Sequence, residues 1–198
     1  MTFSQKIKNI WDYDKWYILG GIAAAVAIFF FIKDVFFKEK YDYTVVYAAP
    51  GYLSEEGLET FESVLSSYAD DLNKNGKSNA DVINIEFPSA EELNPQIDKE
   101  KNTLLMAELA MQENCIFIIA EDRLLELYEN NTDAFTDLSE LSDKIESGTY
   151  YIPIKDTGLS GRIPGLDENL VLALRKPYVA KYNDIYNNCR NYISRILK

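Results

Sequence analysis

The pattern of apolar and polar positions changes character near residue 40. Before it, residues 16–32 read WYILGGIAAAVAIFFFI, seventeen positions without a charge. At 1.5 Å per residue such a helix covers about 25 Å of a hydrocarbon layer roughly 30 Å thick. Lys33 and Asp34 interrupt the run and Val35, Phe36 and Phe37 extend it, so Lys33 must snorkel while the phenylalanines fill the rim. Trp11, Trp16 and Tyr17 lie at the other end, where amphipathic rings favour the interface. The pattern predicts a cytoplasmic segment over 1–15, a transmembrane anchor over 16–37 and an extracytoplasmic domain over 38–198. Soluble cores seldom use an unbroken apolar stretch this long. A signal peptidase needs small residues after the run, and KDVFFK offers none, so the anchor is expected to be retained. Three lysines stand on each side (Lys6, Lys8, Lys15; Lys33, Lys38, Lys40), and the charge rule does not choose an orientation. An uncleaved export signal holding a domain outside the cell is the simplest arrangement. Phe3, Ile7, Ile10 and Trp11 share one helical face, which fits a short interfacial helix or an unstructured tail. Gly20/Ala24 and Gly21/Ala25 are small-residue pairs through which two spans could approach, although such pairs are frequent in Ala/Gly-rich spans.

After residue 40, short apolar runs alternate with amphipathic stretches. YTVVYA (43–48) reads as a buried strand, VINIEF (82–87) as a strand ended by Pro88, and CIFIIA (115–120) as a central parallel strand. Between them, Leu58, Phe61, Leu65, Tyr68 and Leu72 recur at helical spacing after a capping Ser54. A second helix is predicted over 95–112 with Ile97, Leu104, Leu105 and Leu109 inward. A third covers 121–130 with Leu124, Leu127 and Tyr128 inward. Phe135, Leu138 and Leu141 suggest a short helix, residues 150–154 a short strand, and NLVLALR (169–175) another strand. The last helix runs over 178–197 with Tyr182, Ile185, Tyr186, Cys189, Ile193 and Ile196 inward. This β-α-β-α-β-α order predicts a single three-layer α/β/α domain with a mostly parallel sheet.

Composition narrows the function classes. The chain of 198 residues has 32 acidic and 20 basic side chains and no histidine. The absence of histidine excludes Ser-His and Cys-His catalytic devices and the usual zinc sites. A formal charge of −12 argues against nucleic acid as a partner, because phosphate neutralisation needs a basic face. Two cysteines cannot form a disulfide scaffold; Cys115 opens a buried strand and Cys189 lies on an apolar helix face, so both read as core residues.

Several phrases are similar to a known family: DYTVVYA (42–48) as first strand, DLNKNGK (71–77) after the first helix, IFII (116–119) as third strand, and AFTDLS (134–139) after it. Over roughly residues 42–175 the chain resembles one lobe of the extracellular solute-binding proteins, the type 2 periplasmic-binding fold. With the N-terminal span, it resembles a group of bacterial single-span membrane-anchored proteins. The resemblance implies an extracytoplasmic α/β domain. Solute-binding proteins are about twice this length and hold ligand between two lobes; here one lobe fills the chain, so no ligand residue carries over.

Candidate chemistry is sparse. Asp71, Asn73, Asn75 and Gly76 match the first half of a calcium loop, but Val82 stands where the bidentate glutamate belongs. An Asx-rich turn with Gly76 left-handed explains the same residues. GLSGR (158–162) lacks the spacing of a nucleophile elbow and reads as a loop. The many carboxylates single out no acid/base pair and read as a solvated face. Tyr150, Tyr151, Tyr178 and Tyr182 could present an aromatic surface, or belong to core and rim. No cofactor or metal is implied. The expectation is a non-enzymatic domain held to the lipid bilayer by its N-terminal helix and binding an extracytoplasmic protein. A ligand-capturing lobe is the alternative, and a carboxylate-only hydrolase the second alternative.

Overall fold

The computed structural model describes residues 16, 17, 19–31, 41–51, 53–89, 94–130, 132–167 and 169–198. The chain divides into two units, residues 1–40 and 41–198. In the first, Trp16, Tyr17 and residues 19–31 are helical. Among the described residues no helix is long and apolar enough to cross a membrane. The unbroken helical stretch of 19–31 covers only about 20 Å. Ile18 and residues 32–37 of the expected span, the segment 1–15 and its candidate interfacial helix lie outside the described residues.

The second unit is α/β. Its elements are β1 (Tyr43–Pro50), α1 (Glu55–Ser66), β2 (Ala80–Phe87), α2 (Pro95–Ala110), β3 (Ile116–Ala120), α3 (Glu121–Asn130), β4 (Tyr151–Pro153), β5 (Leu170–Leu174) and α4 (Asn183–Ile196). They build a five-stranded sheet of order β2-β1-β3-β5-β4. β1 pairs parallel with β2 and β3, while β5 runs antiparallel to both β3 and β4. The sheet is therefore mixed and mostly parallel, and β5 corrects the simple βαβ repeat read from the sequence. The physical reason lies in residues 154–169. A parallel return needs a crossover that carries the chain back along the sheet. Among its described residues this connection forms no longer helix than the 3₁₀ turn Ile154–Asp156, and it buries Leu159 and Ile163 locally. The chain re-enters the sheet from the end at which it left.

Helices cover both faces. On one, Phe61 and Leu65 of α1 and Tyr192, Ile193 and Ile196 of α4 pack on Val45, Tyr47, Ile116 and Leu172. On the other, Leu105 of α2 and Leu124 of α3 pack on Val46, Ile85, Phe117 and Val171. Burying a side chain such as Phe61 stabilises the fold by about 2–3 kcal/mol. Ser54 caps α1 by accepting from the Gly57 N–H at 3.1 Å, an interaction worth about 1 kcal/mol.

Several inward assignments change. On α2, Leu105 is buried and Leu109 half-buried, whereas Ile97 and Leu104 are exposed. α1 ends at Ser66, which leaves Leu72 exposed in the turn beyond it. α4 starts at Asn183, so Tyr182 lies in a preceding 3₁₀ turn and Ile185 is exposed. Tyr192, absent from the expected stripe, is fully buried, stacked on Tyr43 at 4.4 Å, and donates to the Leu65 carbonyl at 2.9 Å. The predicted helix around Phe135–Leu141 is instead two 3₁₀ turns flanking Phe135, which bridges to Arg175.

Candidate functional site

The calcium-loop residues are held by their own backbone. Asp71 accepts from the Asn75 and Gly76 N–H groups at 3.0 and 2.8 Å, and the Asn73 side-chain Oδ1 accepts from Asn75 N–H at 3.0 Å. Asn75 accepts in turn from Lys77 N–H at 2.8 Å. Lys74 and Gly76 have φ of 57° and 85°, the left-handed turns that such side-chain acceptors support. Asp42 closes the loop from below, accepting from Leu72, Asn73 and Asn79. Among the described residues no group of three or more acidic or cysteine side chains is arranged to hold a metal.

The cysteines are both free and buried, in the same core cluster. The nearby Cys115 thiol and then burial raise Cys189 well above the ordinary thiol range. In GLSGR, Gly158 has a packing role: a Cβ there would meet Tyr68 Oη at 2.6 Å and the Ile196 carbonyl at 3.0 Å. Arg162 donates to Tyr68 Oη at 2.7 Å, and Tyr68 donates to the Gly158 carbonyl at 2.8 Å. The four tyrosines do not make one surface. Tyr150 and Tyr151 line one cavity beside α3, and Tyr178 lines another.

That other cavity brings a buried arginine together with apolar walls. It has a volume of about 420 Å³ and lies where α2 ends, α3 passes and β5 runs out. Met106, Leu109, Leu127 and Phe135 supply apolar walls, and Arg175 and Tyr178 the polar lining. Backbone pairing fixes the floor: Thr136 N–H donates to the Leu174 carbonyl at 2.7 Å and Lys176 N–H to the Ala134 carbonyl at 2.8 Å. Gln112 pins the outgoing strand by accepting from both Tyr178 and Val179 N–H at 2.9 Å. Arg175 is thus set on a rigid bridge rather than on a mobile tip.

Arg175 is 4% exposed, and its Nη1 is buried without a hydrogen-bond partner among the described residues. The Tyr178 ring lies 5.3 Å from its guanidinium carbon. Burial lowers its pKa, while Tyr178 and Cys115 act in the opposite direction. An arginine so placed keeps its charge, because guanidinium is too basic to neutralise. The last turn of α2 reaches the rim, and the partial negative charge of a helix C-terminus reduces the cost of burying the cation. A helix end does not satisfy an individual N–H. Sequence reasoning passed over Arg175 because an arginine closing an apolar strand reads as a solvated end.

No family model, curated protein or solved structure significantly matches the chain.

Proposed function

We propose that the chain is a membrane-tethered, non-enzymatic recognition domain, with residues 41–198 on the extracytoplasmic side and a protein as its partner. One observation carries the tether. Residues 19–31 read LGGIAAAVAIFFF, are helical, and every one of them is exposed. Phe29, Phe30 and Phe31 stand 65%, 57% and 69% exposed. A helix that is apolar all round has no face for water and requires lipid or protein cover. The recognition role is supported by the acidity of the domain: 28 acidic and 14 basic residues after position 40 give it a formal charge of −14. Such a field favours partners with a basic face and repels polyanions.

Fractionation tests the reading. The full chain is expected to stay with the membrane pellet through an alkaline carbonate wash and to leave it only in detergent. Protease added to intact spheroplasts is expected to digest residues beyond 40. Recovery of the full chain in the aqueous supernatant would overturn the tether; a protected domain would overturn the side. A ligand-capturing role is the second reading, favoured by the cavity around Arg175.

A further inference from the structure

We propose that the cavity between α2 and α3 is a binding site for a small apolar monocarboxylic acid, with Arg175 receiving the carboxylate and Met106, Leu109, Leu127 and Phe135 receiving the aliphatic chain. The inference does not depend on how the chain is tethered.

Charge complementarity argues for the anion. Arg175 is nine-tenths buried, charged, and carries an N–H group that nothing among the described residues accepts. Leaving such a donor unmade is costly, and a carboxylate is the group whose geometry matches a guanidinium fork. None of the ion pairs in the described structure involves Arg175, whereas Arg123, Arg190 and Arg195 each face an aspartate or glutamate. The cavity volume, about 420 Å³, lies within the range of ordinary small-molecule sites, which are mostly apolar with a few fixed polar groups.

The lining selects the class of acid. Apart from Arg175 and the Tyr178 ring, the walls are aliphatic or aromatic, so a sugar acid or amino acid would leave its own polar groups unpaired. A peptide would likewise find few partners for its amides. The −14 charge of the domain disfavours di- and triphosphates over a monoanion. Tyr178, stacked near the guanidinium and 56% exposed, stands where the acid would enter.

Fluorine NMR of trifluoromethyl-tagged hexanoate, with the full chain reconstituted in lipid nanodiscs, tests the assignment. The acid signal is expected to broaden beyond its baseline with empty nanodiscs, with a Kd of about 0.1–1 mM for so small a ligand. The tagged hexanamide is expected to bind about tenfold or more weakly, since it forfeits the charge-assisted bond. Arg175→Met, whose fold is checked by circular dichroism, is expected to lose the preference for acid over amide, and Arg175→Lys to keep part of it. Leu109→Trp, which leaves the arginine in place and fills the cavity, is expected to abolish binding of both. Equal binding of acid and amide, acid binding unchanged in Arg175→Met, or no broadening at millimolar acid would each overturn the proposal. So would binding of an apolar peptide's carboxyl terminus where hexanoate fails to bind.

Discussion

Burial makes Tyr47 and Tyr192 expensive to ionise. The Tyr47 hydroxyl is pushed up to about 12, first by desolvation and then by the nearby charges of Asp167 and Glu86. Tyr192 is raised further, again mainly by burial. The folded chain therefore keeps protons that the unfolded chain releases near pH 10. Their contribution to stability is complete below about pH 10; that of Tyr47 is lost as pH climbs through about 12, and that of Tyr192 goes on falling at higher pH. Urea unfolding at about pH 9 and about pH 11 is expected to show a lower midpoint at the higher pH, with a smaller drop in Tyr47→Phe. Equal drops in both chains would show that Tyr47 ionises as freely in the native state as in the unfolded one. The same economy of burial separates the two most informative side chains from what their neighbours in sequence suggest. Tyr192 was hidden because a tyrosine on a polar helix stretch reads as a surface residue. Arg175 was hidden because its isolation is created by Phe135 and α2, which lie far away along the chain.

Helices and strands differ in how openly the chain announces them. β1 and β3 follow from nearly continuous runs of branched and aromatic residues, since a strand buried on both faces can use little else, while β2, at the sheet edge, alternates apolar with polar positions. α3 begins and ends where its polar flanks place it, at Glu121 and Asn130. α2 is harder because its apolar residues wind around the helix, and only Leu105 reaches full burial. The direction of β5 was not readable at all, for strand composition carries no arrow. It depends on the connection 154–169, which is locked where Gly158 passes the end of α4: Gly158 N–H donates to the Ile196 carbonyl at 2.7 Å. A methyl group there collides with Tyr68 Oη and with backbone. Gly158→Ala is expected to destabilise the domain by about 1–3 kcal/mol in urea titrations, through forced displacement of packed groups. An unchanged midpoint would mean that this junction yields without cost.

For the molecule as a whole, charge opposes compaction. A formal −14 over residues 41–198 repels itself, and among the described residues a few ion pairs, such as Arg195–Asp70 and Arg190–Glu140, offset it locally. Screening is nearly complete beyond about 8 Å at physiological ionic strength. Thermal unfolding of the full chain in nanodiscs is accordingly expected to give a higher Tm for the α/β domain at about 300 mM salt than at about 10 mM, by roughly 2–4 °C. A Tm that falls with salt would show that attractive pairs dominate instead. Length, charge, the apolar run before residue 40 and the alternation of strands with helices are local properties, and local chemistry suffices to read an α/β domain from them. The antiparallel β5, the burial of Tyr192 and the cavity around Arg175 arise from contacts between distant segments. No periodicity along the chain encodes which segments meet, so these features exist only once the sheet has closed and its helices have packed.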